Sequence, residues 1–123
     1  MLRFPASVRI FLCLEPADMR RSFDGLSGMV RSIIRESPTC GHLFVFRNRR
    51  RDRVKILWWD RDGFAIFYKR LEKGTFHFPA PSERDGQRRE VDPRDFAMIL
   101  EGFEQTNLRK HSRFQRSATC AMA

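Results

Sequence analysis

The spacing of apolar residues changes along the chain, and each change predicts an element. Val8 to Leu14 (VRIFLCL) is rich in β-branched and aromatic residues and is bracketed by Pro5 and Pro16, which predicts a strand. From Asp18 the period lengthens. Met19, Phe23, Leu26, Met29, Val30, Ile33 and Ile34 recur at spacings of three and four, predicting an amphipathic helix from Asp18 to Glu36 that Pro38 stops. Asp18 or Ser22 can cap it, each offering a side-chain oxygen to the free amides of the first turn. Gly25 and Gly28 inside this pattern cost about 1 kcal/mol each relative to alanine, so they imply close approach of another backbone on that side.

The period then shortens again. Leu43 to Arg47 and Val54 to Trp59 predict a hairpin whose loop exceeds the ideal two residues. Asp60 to Gly63 predicts a tight turn, with Asp62-Gly63 supplying the positive φ, into a strand from Phe64 to Leu71. Thr75 to Phe78 predicts a last short strand before Pro79. Alternation puts Val54, Ile56 and Trp58 on one face and Lys55, Leu57 and Trp59 on the other. Both faces carry large apolar groups, so the face that the helix does not cover is either covered by the C-terminal segment or partly open.

Ala80 to Glu90 (APSERDGQRRE) is polar and rich in turn formers, which predicts a surface loop. Asp92-Pro93 opens a second helix through Phe96, Ile99, Leu100 and Phe103, with Asp92 as cap, proline at the first helical position and Gly102 at the fraying end. Beyond it, Glu104 to Ala123 has cations at Arg109, Lys110, Arg113 and Arg116 and little hydrophobic period, the pattern of a mobile basic tail. The expected fold is thus α+β. It has a mostly antiparallel sheet of about five strands, one long helix packed on it and a second C-terminal helix, in a single domain over residues 1–103 with a tail over 104–123.

Charge narrows the function. Lys and Arg number 24 against 15 Asp and Glu, a formal net charge of +9, and arginine dominates. The net charge puts nucleic acid first among partners and anionic membrane second, and guanidinium, which matches phosphate better than ammonium does, favours nucleic acid over general solubility. The excess concentrates in the first hairpin at Arg47, Arg49, Arg50, Arg51, Arg53 and Lys55 against one acid, Asp52, with Lys69 and Arg70 extending the patch. A run of exposed cations repels itself and gives no folding benefit, so these eight residues are the candidate nucleic-acid-binding site. Phe44, Phe46, Trp59 and Phe67 interleave with cations as in sheets that stack bases, although phenylalanines at period two are more often core.

Catalytic patterns are weaker. Asp60 and Asp62, with Asp18, Asp24 or Glu72 as thirds, are the tempting carboxylates for a metal-dependent nuclease, yet they are better explained as turn residues. His42, His77 and His111 lie far apart, no serine sits in a nucleophile elbow, and no phosphate-binding glycine loop is present. Cys13, Cys40 and Cys120 are widely spaced, which suits neither a zinc site nor a disulfide framework and fits a reducing cytoplasm. Only Ile10 to Leu14 is uninterrupted and apolar near the start, too short for an export signal or a membrane span. No catalytic residue, metal, cofactor or small-molecule ligand is expected.

Several motifs together resemble a known family. DMRRSFDGL in the first helix, HLFVFRNRR in the hairpin, and WDRDGF with YKRLEKGTF after it are similar to the small TnpB-type accessory proteins of the insertion sequence sixty-six family of bacterial mobile elements. The likeness covers residues 1 to 79 closely and thins after Pro79. These proteins are distinct from the RNA-guided nucleases of the same label. The resemblance implies a non-catalytic factor encoded beside a DDE transposase and a second accessory protein. Its expected roles are binding element-end DNA or the transposase–DNA complex, cytoplasmic and on the nucleoid when bound, or acting as a protein adaptor without touching DNA. Members commonly carry glycine in the hairpin, as RRGDR, where this chain has Arg51, which leaves room for a different turn geometry here.

Overall fold

The structure is a computed structural model and describes residues 7–101. Five strands, β1 (Ile10–Cys13), β2 (Leu43–Arg47), β3 (Arg53–Asp60), β4 (Gly63–Arg70) and β5 (Arg88–Val91), form one sheet in the order β4-β3-β2-β1-β5. Two helices complete it, α1 (Phe23–Met29), continued by a π-helical turn over Val30–Ile34, and α2 (Pro93–Leu100). The α+β class and the strand number agree with the sequence reading. Gly102, Phe103 and the expected tail lie outside the described residues.

The sheet is mixed where a mostly antiparallel one was expected. β1 and β2 run parallel, with Ile10 opposite Leu43 and Leu12 opposite Val45, while β1–β5, β2–β3 and β3–β4 are antiparallel. Parallel neighbours need a crossover, and the helix-bearing segment between β1 and β2 provides it.

The first helix is also shorter than its apolar period. Residues 18–21 form a turn instead, because the Asp18 carboxylate accepts from the Arg20 amide at 2.9 Å and the Asp18 carbonyl accepts from the Arg21 amide at 3.0 Å. The carbonyls of Met19 and Arg21, which a helix would offer to Phe23 and Gly25, instead accept from Lys55 Nζ at 2.7 and 2.8 Å. Ser22 occupies the cap position without a side-chain cap bond. At the far end the Val30 carbonyl accepts from the Arg35 amide at 2.7 Å, a wide turn that stops at Arg35 with φ 62°. Neither glycine meets another backbone: nothing lies within 4 Å of a Cβ at Gly28, and at Gly25 the neighbour is the Arg21 side chain, 3.0 Å away.

The expected fifth strand is displaced. Thr75 to Phe78 lies outside the five strands of the sheet. It crosses the second face of the sheet, where Phe76 is fully buried and its amide donates to the Arg51 carbonyl at 2.6 Å. The free edge of β1 is taken by Arg88–Val91, inside what its polarity predicts to be loop. Polarity misleads here because this is an edge strand whose charges are used in place. The Arg88 and Arg9 guanidiniums each lie 5.0 Å from the Phe11 ring centroid, and Arg9 pairs with Glu90 at 2.6 Å.

Each face of the sheet carries its own core. On one, Leu26, Met29, Val30 and Ile34 pack on Phe11, Cys13, Phe44, Phe46 and Leu57. On the other, Phe76 and Ile99, flanked by Leu71, Phe78, Phe96 and Leu100, cover Ile10, Leu12, Leu43, Val45, Val54 and Ile56. The second face is therefore closed by the segment after β4 and by α2, which begins as expected, with Asp92 Oδ1 accepting from the Asp95 amide at 2.8 Å and Pro93 in the first turn.

Candidate nucleic-acid interface

The turn between β2 and β3 is built around Asn48. Its carbonyl accepts from the Arg51 amide at 3.1 Å, its side-chain oxygen accepts from the Arg53 amide at 3.1 Å, and its Nδ2 donates to Asp52 Oδ1 at 2.6 Å. That last bond, with Arg50 and Arg53 nearby, holds the Asp52 carboxyl below its usual range. Arg51 adopts the left-handed conformation, φ 64°. The turn is braced from outside as well, since the Asp52 carbonyl accepts from the Leu71 amide at 2.8 Å and the Arg51 carbonyl from Phe76. Arg51 thus takes the conformation that glycine in RRGDR would favour, and the departure changes the residue without requiring a different turn geometry.

On this frame Arg49, Arg50 and Arg51 are exposed. Arg53 and Arg70 are cross-strand partners, so both side chains share one face beside the turn. Arg53 is half-buried with Nη1 3.4 Å from the Tyr68 hydroxyl, and the exposed Arg70 pairs with Glu72 at 3.0 Å.

The remaining three candidates face inward. Lys55 is 8% exposed and is committed to the carbonyls before α1, with Nζ also 4.7 Å from the Tyr68 ring centroid, so its expected role at the surface patch is corrected. Arg47 donates to the Leu14 carbonyl at 2.9 Å and lies over Phe78. Burial first, and then the like charges of Arg51 and Arg49, push its guanidinium below the usual value. Lys69 donates to the Leu100 carbonyl at 2.8 Å, closing the negative end of α2. Together with Arg88, which donates to the Ile34 carbonyl at 2.9 Å, these cations fasten chain segments to the sheet. Sequence shows a cation but not the carbonyl it will meet.

The aromatic interleaving divides similarly. Phe44 and Phe46 are fully buried core and offer no surface to a base. Trp59 is half-buried, edge-on to Phe64 at 5.0 Å, and Phe67 is 36% exposed on the opposite face from Tyr68. Tyr68, absent from the sequence-derived candidates, is 48% exposed. Its signal was the register: a turn at Asp60 to Gly63 puts it opposite Lys55.

The carboxylates do not converge. Asp60 and Asp62 flank Arg61, which carries the positive φ of 60° that was expected at Asp62-Gly63, and the Asp62 amide donates to the Asp60 carbonyl at 2.6 Å in a γ-type turn. Among the described residues no three His, Cys, Asp or Glu side chains gather where they could hold a metal ion. Cys13 is buried and Cys40 exposed, and burial raises the Cys13 thiol to about 11. No helix among the described residues is long and apolar enough to cross a membrane.

A small mixed-sheet domain with an arginine turn braced at one end defines a basic α+β protein, and comparison with known proteins supplies the family. The chain belongs to the IS66 Orf2-like proteins, whose family model matches residues 8–110. Two Sinorhizobium fredii proteins are similar over most of their length. The chain is 35% identical to y4jC over 84% of this chain and 86% of that protein, and 32% identical to y4hO over 85% and 88%. No solved structure matches. Membership associates the chain with the transposition machinery of insertion sequences, among its accessory proteins.

Proposed function

We propose that the protein is a non-catalytic accessory factor that binds element-end DNA, alone or within the transposase–DNA complex, through Arg49, Arg50 and Arg51, with Arg53 and Arg70 alongside. The observation that carries this reading is the exposure of three consecutive arginines on a turn whose backbone is fixed by Asn48 and by the Leu71 and Phe76 amides. Rigid presentation of like charges costs stability in the free protein and is recovered when phosphates neutralise them. Contacts of this kind position a protein on the backbone and carry little sequence information, so base selectivity would come from the transposase or the second accessory protein. Such a factor acts in the cytoplasm, on the nucleoid when bound.

A salt titration of binding to labelled element-end duplex, with a scrambled duplex as control, tests it. The expected result is steeply salt-dependent affinity, nearly equal for the two duplexes. The Arg49→Ala/Arg50→Ala/Arg51→Ala variant should bind more weakly, with the logarithmic salt slope reduced by about 2 to 3. Unchanged affinity and slope would overturn the site assignment. The other reading is a protein adaptor. It is favoured by Phe67, a large apolar side chain 36% exposed on the edge strand β4, and it predicts no DNA binding at low salt together with a stable complex on co-purification with the transposase.

A further inference from the structure

We infer that Tyr68 is a stacking platform for an unpaired base, so that the arginine turn selects nucleic acid with unpaired bases over fully paired duplex. The inference rests on the phosphate-binding reading of that turn. Register places Arg53, Lys55, Tyr68 and Arg70 on one face at the edge of the sheet, with Lys55 opposite Tyr68 and Arg53 opposite Arg70. Successive residues on one face of a strand stand about 7 Å apart, so the ring lies one such step from the arginine pair.

The ring is held from two directions. Lys55 Nζ lies 4.7 Å from its centroid and is itself fixed by the Met19 and Arg21 carbonyls, and its hydroxyl is 3.4 Å from Arg53 Nη1. Nearly half its surface is nevertheless open, at 48%. A large aromatic side chain restrained in place but left uncovered loses little conformational freedom when a planar group settles on it.

Charge complements that occupant. Arg53 and Arg70 are like charges directly opposed in a ladder, an arrangement that an anion lying between or over them would relieve, with Glu72 pairing to Arg70 and Asp52 near Arg53. A strand with its phosphates on Arg53, Arg70 and the turn would bring a base to Tyr68. The bases of a duplex have their faces already stacked, so a duplex can use the arginines alone.

The test compares two oligonucleotides with the same number of phosphates, fluorescein-labelled oligothymidylate and its abasic counterpart, by fluorescence anisotropy at fixed salt. Wild-type protein should bind the intact strand about five- to 150-fold more tightly, the range of one base–aromatic stack. Tyr68→Ala should bind both alike, at the abasic affinity, with the salt slope unchanged, and Tyr68→Phe should restore the preference. Equal binding of both strands by wild-type protein would overturn the platform, whatever the variants do. A preference that survives in Tyr68→Ala would overturn it too. Failure of the phosphate reading is separate: both strands would then bind independently of Arg49, Arg50 and Arg51.

Discussion

Arg51 holds a backbone conformation that suits glycine better than arginine. A non-glycine residue in the left-handed region is strained by about 1–2 kcal/mol, and Arg51 sits there at φ 64°. Glycine relieves the strain but costs unfolded-chain entropy, so Arg51→Gly is expected to raise stability by about 0.5–1 kcal/mol in urea denaturation. Under the proposed phosphate-binding role of the turn, the same change should lower the salt slope of DNA binding by about 1. A loss of stability would contradict the turn conformation. Lys55 makes the complementary point. Its sequence neighbours mark it as part of a basic patch, but its ammonium is buried on two carbonyls, because the chain entering α1 passes over that face of β3.

Among the elements, α1 was legible as apolar period but not as extent. The period continues through residues 18–22, where local hydrogen bonds to Asp18 and a distant one from Lys55 hold a turn, a competition that hydrophobic spacing does not register. Its glycines now have a different meaning. Gly28 is exposed with open space at its Cβ position, so Gly28→Ala should stabilise the protein by about 1 kcal/mol, read as a rise in thermal midpoint. At Gly25 a Cβ would stand 3.0 Å from Arg21 Cβ, and the gain should be smaller or absent. The exchange of Thr75 to Phe78 for Arg88–Val91 as the fifth strand has a tertiary cause. The aromatic segment is more useful as a lid on the second face, whereas the polar one suits an exposed edge.

For the molecule as a whole, surface carboxylates set the response to acid. Arg20 holds the Asp18 carboxyl down to about 2 from an ordinary 3.8, Asn48 holds Asp52 below its usual range, and Arg9 does the same for Glu90. Groups whose folded values are depressed stabilise the fold above their unfolded values, and that contribution is lost as pH falls through the folded ones. Burial raises Glu101, which acts in the opposite sense, favouring the fold at low pH and losing that contribution as pH rises through its folded value. Among the described residues three carboxyls are depressed and one is raised, so the thermal midpoint is expected to fall as pH is lowered from about 5 to about 2, and to fall less in high salt, since the Arg20–Asp18 and Arg9–Glu90 pairs are exposed. A midpoint flat across that interval would show that these carboxylates do not contribute.

What the sequence determined by itself was local. Apolar period placed β1 to β4 and α2 to within a few residues, because burial of one face imposes it. Asp92-Pro93 marked the start of α2 through capping chemistry, and the arginine run marked a charged turn. Tertiary structure decided what depends on partners distant in the chain. It set the parallel pairing of β1 with β2, chose the polar segment that became β5, and committed Arg47, Lys55 and Lys69 to backbone carbonyls. It also left Tyr68 open while Phe44 and Phe46 were sealed. A side chain's type fixes which hydrogen bonds it can make, but only the packed chain fixes which acceptor comes within 3 Å of it.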